Sequence, residues 1–150
     1  MQYKIILFYS LLFCTTLHVQ NNINTEPLKY DVIVSFESMC CGTASDDFLK
    51  EYIKNYNYKN KDTVNGWLMG GCGREGEYKI FFSLTNLKDA KKTQLTDDLK
   101  ILIEVQNKKN KSVNASSGSI SLSYNLPLKN FDYCSGQLTE WNKKVTGIKN

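Results

Sequence analysis

At 150 residues, 41% of them hydrophobic, the chain is long enough for one domain with a core of its own. Its net charge of +4 comes from 19 cations scattered among 15 acids, so no nucleic-acid footprint stands out. The single histidine, His18, lies in a segment read below as an export signal, and without it the chain has no imidazole for triad catalysis or metal ligation.

Residues 1–20, "MQYKIILFYSLLFCTTLHVQ", read as that signal. Lys4 is the basic start and Ile5 to Phe13 the apolar core, well short of the about 20 apolar residues a bilayer crossing takes. No later stretch is apolar enough for a membrane helix, so the reading is an extracytoplasmic protein: periplasmic, cell-surface or secreted. Cleavage near Thr16 or Gln20 would release it. Alternatively, "LLFC" resembles a bacterial lipobox that would place a lipid anchor on Cys14, with Phe13 where a small residue is expected. Residues 21–28 are polar and suit a tether, leaving 29–150 as a single α+β domain.

Within that domain, Tyr30, Val32, Val34 and Phe36 alternate with polar residues as in a half-buried strand, and Ile33 marks a second face that is partly covered. A helix follows over about Ala44 to Asn57, with Thr43 and Asp46 set as a capping box and Phe48, Leu49, Tyr52, Ile53 and Tyr56 along one face. Thr63 to Met69 reads as a strand, "GGCGREGE" as a glycine-rich turn, and Glu77 to Leu84 as the next strand. Leu87 to Asp98 suggests a surface helix. Leu99 to Val105 alternates with β-branched residues and reads as a strand, although a helix fits it too. Asn107 to Gly118 is polar and reads as a loop, and Ser119 to Leu126 as a strand with Ile120, Leu122 and Tyr124 on one side. The pattern predicts an antiparallel sheet with helices on one face, in the ferredoxin-like order βαββαβ plus an extra C-terminal strand.

Signals for catalysis are sparse. The acid pairs Asp46/Asp47, Glu75/Glu77 and Asp97/Asp98 read as helix cap, turn and solvated surface. "GGCGREG" lacks the lysine and spacing of a phosphate-binding loop. Arg74, the sole arginine, sits between glycines at an apparent hairpin tip, where a guanidinium is placed for an anion contact. Trp67 and Trp141 read as core or rim packing.

The cysteines carry the remaining chemistry. Apart from Cys14 they are Cys40, Cys41, Cys72 and Cys134, an even number that in an exported chain reads first as two disulfides. Adjacent Cα atoms lie about 3.8 Å apart, below the usual disulfide range, so a Cys40–Cys41 bond would be strained. The expected pairing therefore sends Cys40 and Cys41 to Cys72 and Cys134, in either order. The competing reading makes Cys40 and Cys41 a thiol site for redox chemistry or a soft metal such as Cu(I) or Zn, with lowered pKa near a helix N-terminus. Strand, "MCC", helix is locally similar to heavy-metal-associated domains, which place Met-x-Cys-x-x-Cys in the same loop; here the two-residue spacer is missing. The leading expectation is an exported, non-enzymatic binding protein without a cofactor, its partner an unidentified protein or small ligand. The alternative is an extracytoplasmic thiol protein using Cys40 and Cys41.

Overall fold

The computed structural model describes residues 29–113 and 118–142. The expected export signal, with Cys14 and His18, and the polar segment 21–28 lie outside the described residues. In chain order the elements are β1 (Lys29–Glu37), α1 (Asp47–Asn60), β2 (Asn65–Met69), β3 (Tyr78–Ser83), α2 (Asp89–Val113), β4 (Ser119–Pro127), a short 3₁₀ turn (Leu128–Phe131) and β5 (Thr139–Glu140). All neighbouring strands are antiparallel, in the order β4-β1-β3-β2-β5. This is the expected α+β layout, βαββαβ with one added strand at the C-terminal end. Among the described residues, no helix is long and apolar enough to cross a membrane.

Both helices cover the same face of the sheet. Val32, Val34 and Phe36 of β1 and Ile80 and Phe82 of β3 meet Leu49, Ile53 and Tyr56 of α1 and Leu95, Leu99 and Ile103 of α2. Phe36 stacks on Tyr78 at 4.5 Å between centroids, and Tyr52 of α1 donates its hydroxyl to Asp98 of α2 at 2.9 Å. The hydroxyl of Tyr52 is held well above its ordinary pKa, first by burial and then by that carboxylate, so it stays a donor. Asp98 is thus a helix-to-helix link rather than a solvated acid.

One expected strand is helical. Leu99 to Val105 lies inside α2, a 25-residue helix that also takes up Asn107 to Val113 of the expected loop. The buried residues, Leu95, Leu99 and Ile103, recur every four positions, while Ile101 and Val105, which completed the alternating pattern, face solvent. Asn107 is helical and clamps the start of β4, donating to the Ile120 carbonyl at 2.7 Å and accepting from its N–H at 3.0 Å.

The second face of the sheet is also covered, as Ile33 suggested. Ile33, Phe81, Met69 and flanking Trp67 pack there with Phe131, Cys134 and Leu138 from the chain's C-terminal part. Tyr30 belongs to this face too, against Trp67 and Phe81, and not to the side of Val32 and Val34. The alternation slips at Asp31, whose carboxylate accepts the Leu84 N–H at 2.6 Å, while Asn125 across the ladder has φ 54°. Lys79 is buried on this face. Its ammonium donates to Ser35 Oγ at 3.0 Å, lies 4.0 Å from the Glu37 carboxylate and sits 5.6 and 5.7 Å from the Phe131 and Tyr133 ring centres, so its charge is met by a hydroxyl, a carboxylate and two π-faces.

Candidate functional site

Strands β1 and β2 run parallel to each other on either side of β3, so the loops leaving them emerge at the same end of the sheet. The first carries Cys40 and Cys41, the second Cys72 and Arg74. β5 runs antiparallel to β2 and is its neighbour, so the segment entering β5, with Cys134, arrives beside the loop leaving β2. Ser135 and Gly136 donate backbone N–H groups to the Gly71 and Gly70 carbonyls at 3.0 and 3.1 Å. Gly71, at φ 66°, sits in the left-handed region that favours glycine, and a Cβ there would lie 3.1 Å from the Gly136 backbone nitrogen.

This layout joins Cys72 to Cys134. The sequence expectation linked each of these to Cys40 or Cys41; the structure instead leaves Cys40 and Cys41 as exposed free thiols. The reason is a matter of faces. Cys134 and Cys72 close the covering of the second sheet face, whereas the chain after β1 turns towards α1 on the helix face, where Ala44 and Phe48 pack. The single bond staples the C-terminal covering segment to the β2 end.

Residues Ser38 to Gly42 form the loop that presents the thiols. Ser38 Oγ donates to the Gly42 carbonyl at 2.9 Å, closing the loop across its base. Cys41 and Gly42 have φ of 72° and 103°, the left-handed excursions that reverse the chain before α1. Met39 is 69% exposed, so the tip offers solvent a thioether and two thiols. The sulfurs of Cys40 and Cys41 lie 3.2 Å apart, with the Cys41 thiol donating to Cys40. That contact, the charge Cys40 would carry, slight burial and the Glu75 carboxylate push the Cys41 thiol above its ordinary pKa. The expected lowering by a helix N-terminus does not operate on Cys41. Helix α1 starts at Asp47, several residues further on.

No side-chain cap bond forms at Asp46, contrary to the capping-box expectation. Its buried carboxylate accepts the Trp141 indole N–H at 2.7 Å and the Lys50 ammonium at 2.8 Å instead. It forms one wall of a cleft of about 660 Å³ between α1 and the β2–β5 edge, with Lys50, Leu68, Tyr78 and Trp141. Tyr78 donates to the Ala44 carbonyl at 3.2 Å; burial first, then Asp46 and Asp47, hold its hydroxyl protonated. Sequence reading missed this cleft because the indole that defines it lies 95 positions from Asp46. Trp141 packs edge-on against Phe82 and Trp67 packs on the second face, the packing roles expected of both tryptophans. Glu77 accepts the Glu75 N–H at 2.8 Å, the expected turn role, and Arg74 is exposed on that same turn.

The Cys40–Cys41 loop offers a metal two thiols and the Met39 thioether. Among the described residues, no group of three or more His, Cys, Asp or Glu side chains is placed to hold one. A four-thiolate zinc centre would need Cys72 and Cys134, which are bonded to each other. Comparison with family models, with curated proteins and with solved structures gives no match to this chain.

Proposed function

We propose that this chain is an extracytoplasmic, thiol-based binding protein whose working site is the Cys40–Cys41 pair. The observation that carries the reading is the contact of two free, exposed thiols on a braced loop, with sulfurs 3.2 Å apart. Export is supported by the basic and apolar start over Lys4 to Phe13, and by the Cys72–Cys134 disulfide, a bond that persists in oxidising compartments. With Cys72 and Cys134 committed to each other, Cys40 and Cys41 have only one another within residues 29–142. Closing them on each other strains the ring of adjacent residues, and strained disulfides are the readily reduced ones. The pair thus stays available as a dithiol where an ordinary pair would be locked.

The test is a count of reactive thiols in the folded full chain after mild reduction. Two per chain are expected besides any contribution from Cys14, and both are lost in the C40A/C41A variant. No reactive thiol before or after mild reduction would end the proposal. A second reading, in which a protein or small ligand binds elsewhere, draws on the cleft beside Trp141; it predicts protection of Trp141 fluorescence from quenchers on binding, with Cys40 and Cys41 dispensable.

A further inference from the structure

The separation of the two sulfurs also bears on which soft centre they would hold. On sulfur bonds of about 2.3 Å, two sulfurs 3.2 Å apart subtend about 90° at a shared centre. On the same bonds a tetrahedral centre spreads its sulfurs to about 3.8 Å and a linear one to about 4.6 Å. Zinc in its tetrahedral sites and linear two-coordinate Cu(I) would each have to prise the pair apart. Ser38 Oγ ties the base of the loop to the Gly42 carbonyl, and the sulfur separation as it stands matches a centre with a near-right-angle bite. A trivalent arsenic centre bonds sulfur at a comparable length, is soft, and is pyramidal with angles near a right angle.

The donor count points the same way. A tetrahedral zinc site takes four protein ligands, and among the described residues no group of three or more His, Cys, Asp or Glu side chains is placed to supply them. A monosubstituted trivalent arsenical brings its third substituent with it and needs two sulfurs. Both thiols are exposed at a loop tip, so that substituent has open solvent to project into.

We propose that Cys40 and Cys41 are a chelating site for monosubstituted trivalent arsenic, an inference that rests on the reading of this pair as the working thiols. With an arsine oxide, R–As=O, both S–H bonds and the As=O bond break and two As–S bonds form. The two protons and the oxygen leave as one water, and arsenic stays trivalent, so no oxidant or reductant is involved.

The experiment loads the full chain, after mild phosphine reduction, with phenylarsine oxide and follows intact mass during a wash with excess monothiol. One phenylarsenic per chain is expected, held against monothiol and released by a dithiol. It should persist at least about 100-fold longer than on C40A or C41A, the scale on which a second, intramolecular contact adds. Iodoacetamide is applied in parallel to the reduced, arsenic-free protein. If Cys40 and Cys41 alkylate but monothiol strips the arsenical as fast as from the single variants, the ligand class is overturned and the thiol site stands. If neither cysteine alkylates, both proposals fall together. The monothiol-against-dithiol comparison on the unmodified chain reads chelation without relying on any variant.

Discussion

Removing the Cys72–Cys134 bond through C72A/C134A should cost far more than removing Cys40 and Cys41. The bond spans 62 positions, and on the chain-entropy model closing a loop of that length stabilises the folded state by about 4.3 kcal/mol. It holds the segment bearing Phe131 and Cys134 against Ile33, Met69 and Phe81, so its loss also loosens the covering of one sheet face. For a urea slope of about 1.5 kcal/mol/M, the midpoint should fall by about 3 M. C40A/C41A, by contrast, removes two exposed thiols without a covalent partner and should stay within about 0.5 kcal/mol of the parent. Urea unfolding of the three proteins under non-reducing conditions, followed by tryptophan fluorescence, measures both differences. Equal losses in the two double variants would mean that disulfides connect the two pairs, and would refute the connectivity argued here. So would a loss below about 1 kcal/mol for C72A/C134A.

Three further outcomes follow from particular contacts. Trp141→Phe keeps most of the packing on Phe82 but removes the donor to the buried Asp46 carboxylate, and should destabilise by about 2 kcal/mol in denaturant unfolding; an unchanged midpoint would mean that Lys50 alone suffices. Leu99→Ala should cost about 2–5 kcal/mol, while Ile101→Ala, two residues away and 60% exposed, should lie within about 0.5 kcal/mol; similar large losses at both would favour the strand over the helix. Because the Cys41 pKa is raised, its thiolate is scarce at neutral pH and its alkylation should still be accelerating above the ordinary thiol pKa. Cys40→Ala removes the largest cause and should shift that pH profile down, Glu75→Gln should shift it down less, and an upward shift in either would contradict the electrostatic account.

Local periodicity made much of the fold legible. Val32, Val34 and Phe36, and Ile80 and Phe82, alternate as strands with a buried side must, and Leu49, Ile53 and Tyr56 repeat as a helix does. Leu99 to Val105 satisfied two periods at once. What decided for the helix was the longer run from Leu95 through Leu99 to Ile103, a pattern visible only when the window extends past the seven residues that alternate. Asp46 was misread for another reason. A cap is a local feature, and the partner that claims this carboxylate, Trp141, comes from a strand edge at the far end of the chain. The cysteine pairing was beyond spacing arguments too, because it depends on β5 lying next to β2 and on which sheet face each loop turns towards. The "MCC" loop itself stood out in the sequence, but its brace, its left-handed backbone and its sulfur separation are three-dimensional facts.

The most direct test of the central claim is a disulfide and thiol map of the full chain recovered from its native source. After mild reduction, alkylation and digestion, the account predicts a Cys72–Cys134 linked peptide pair and a separate peptide with both Cys40 and Cys41 alkylated. A linked pair joining Cys40 or Cys41 to Cys72 or Cys134 would contradict it, and would return the adjacent cysteines to the role of structural anchors.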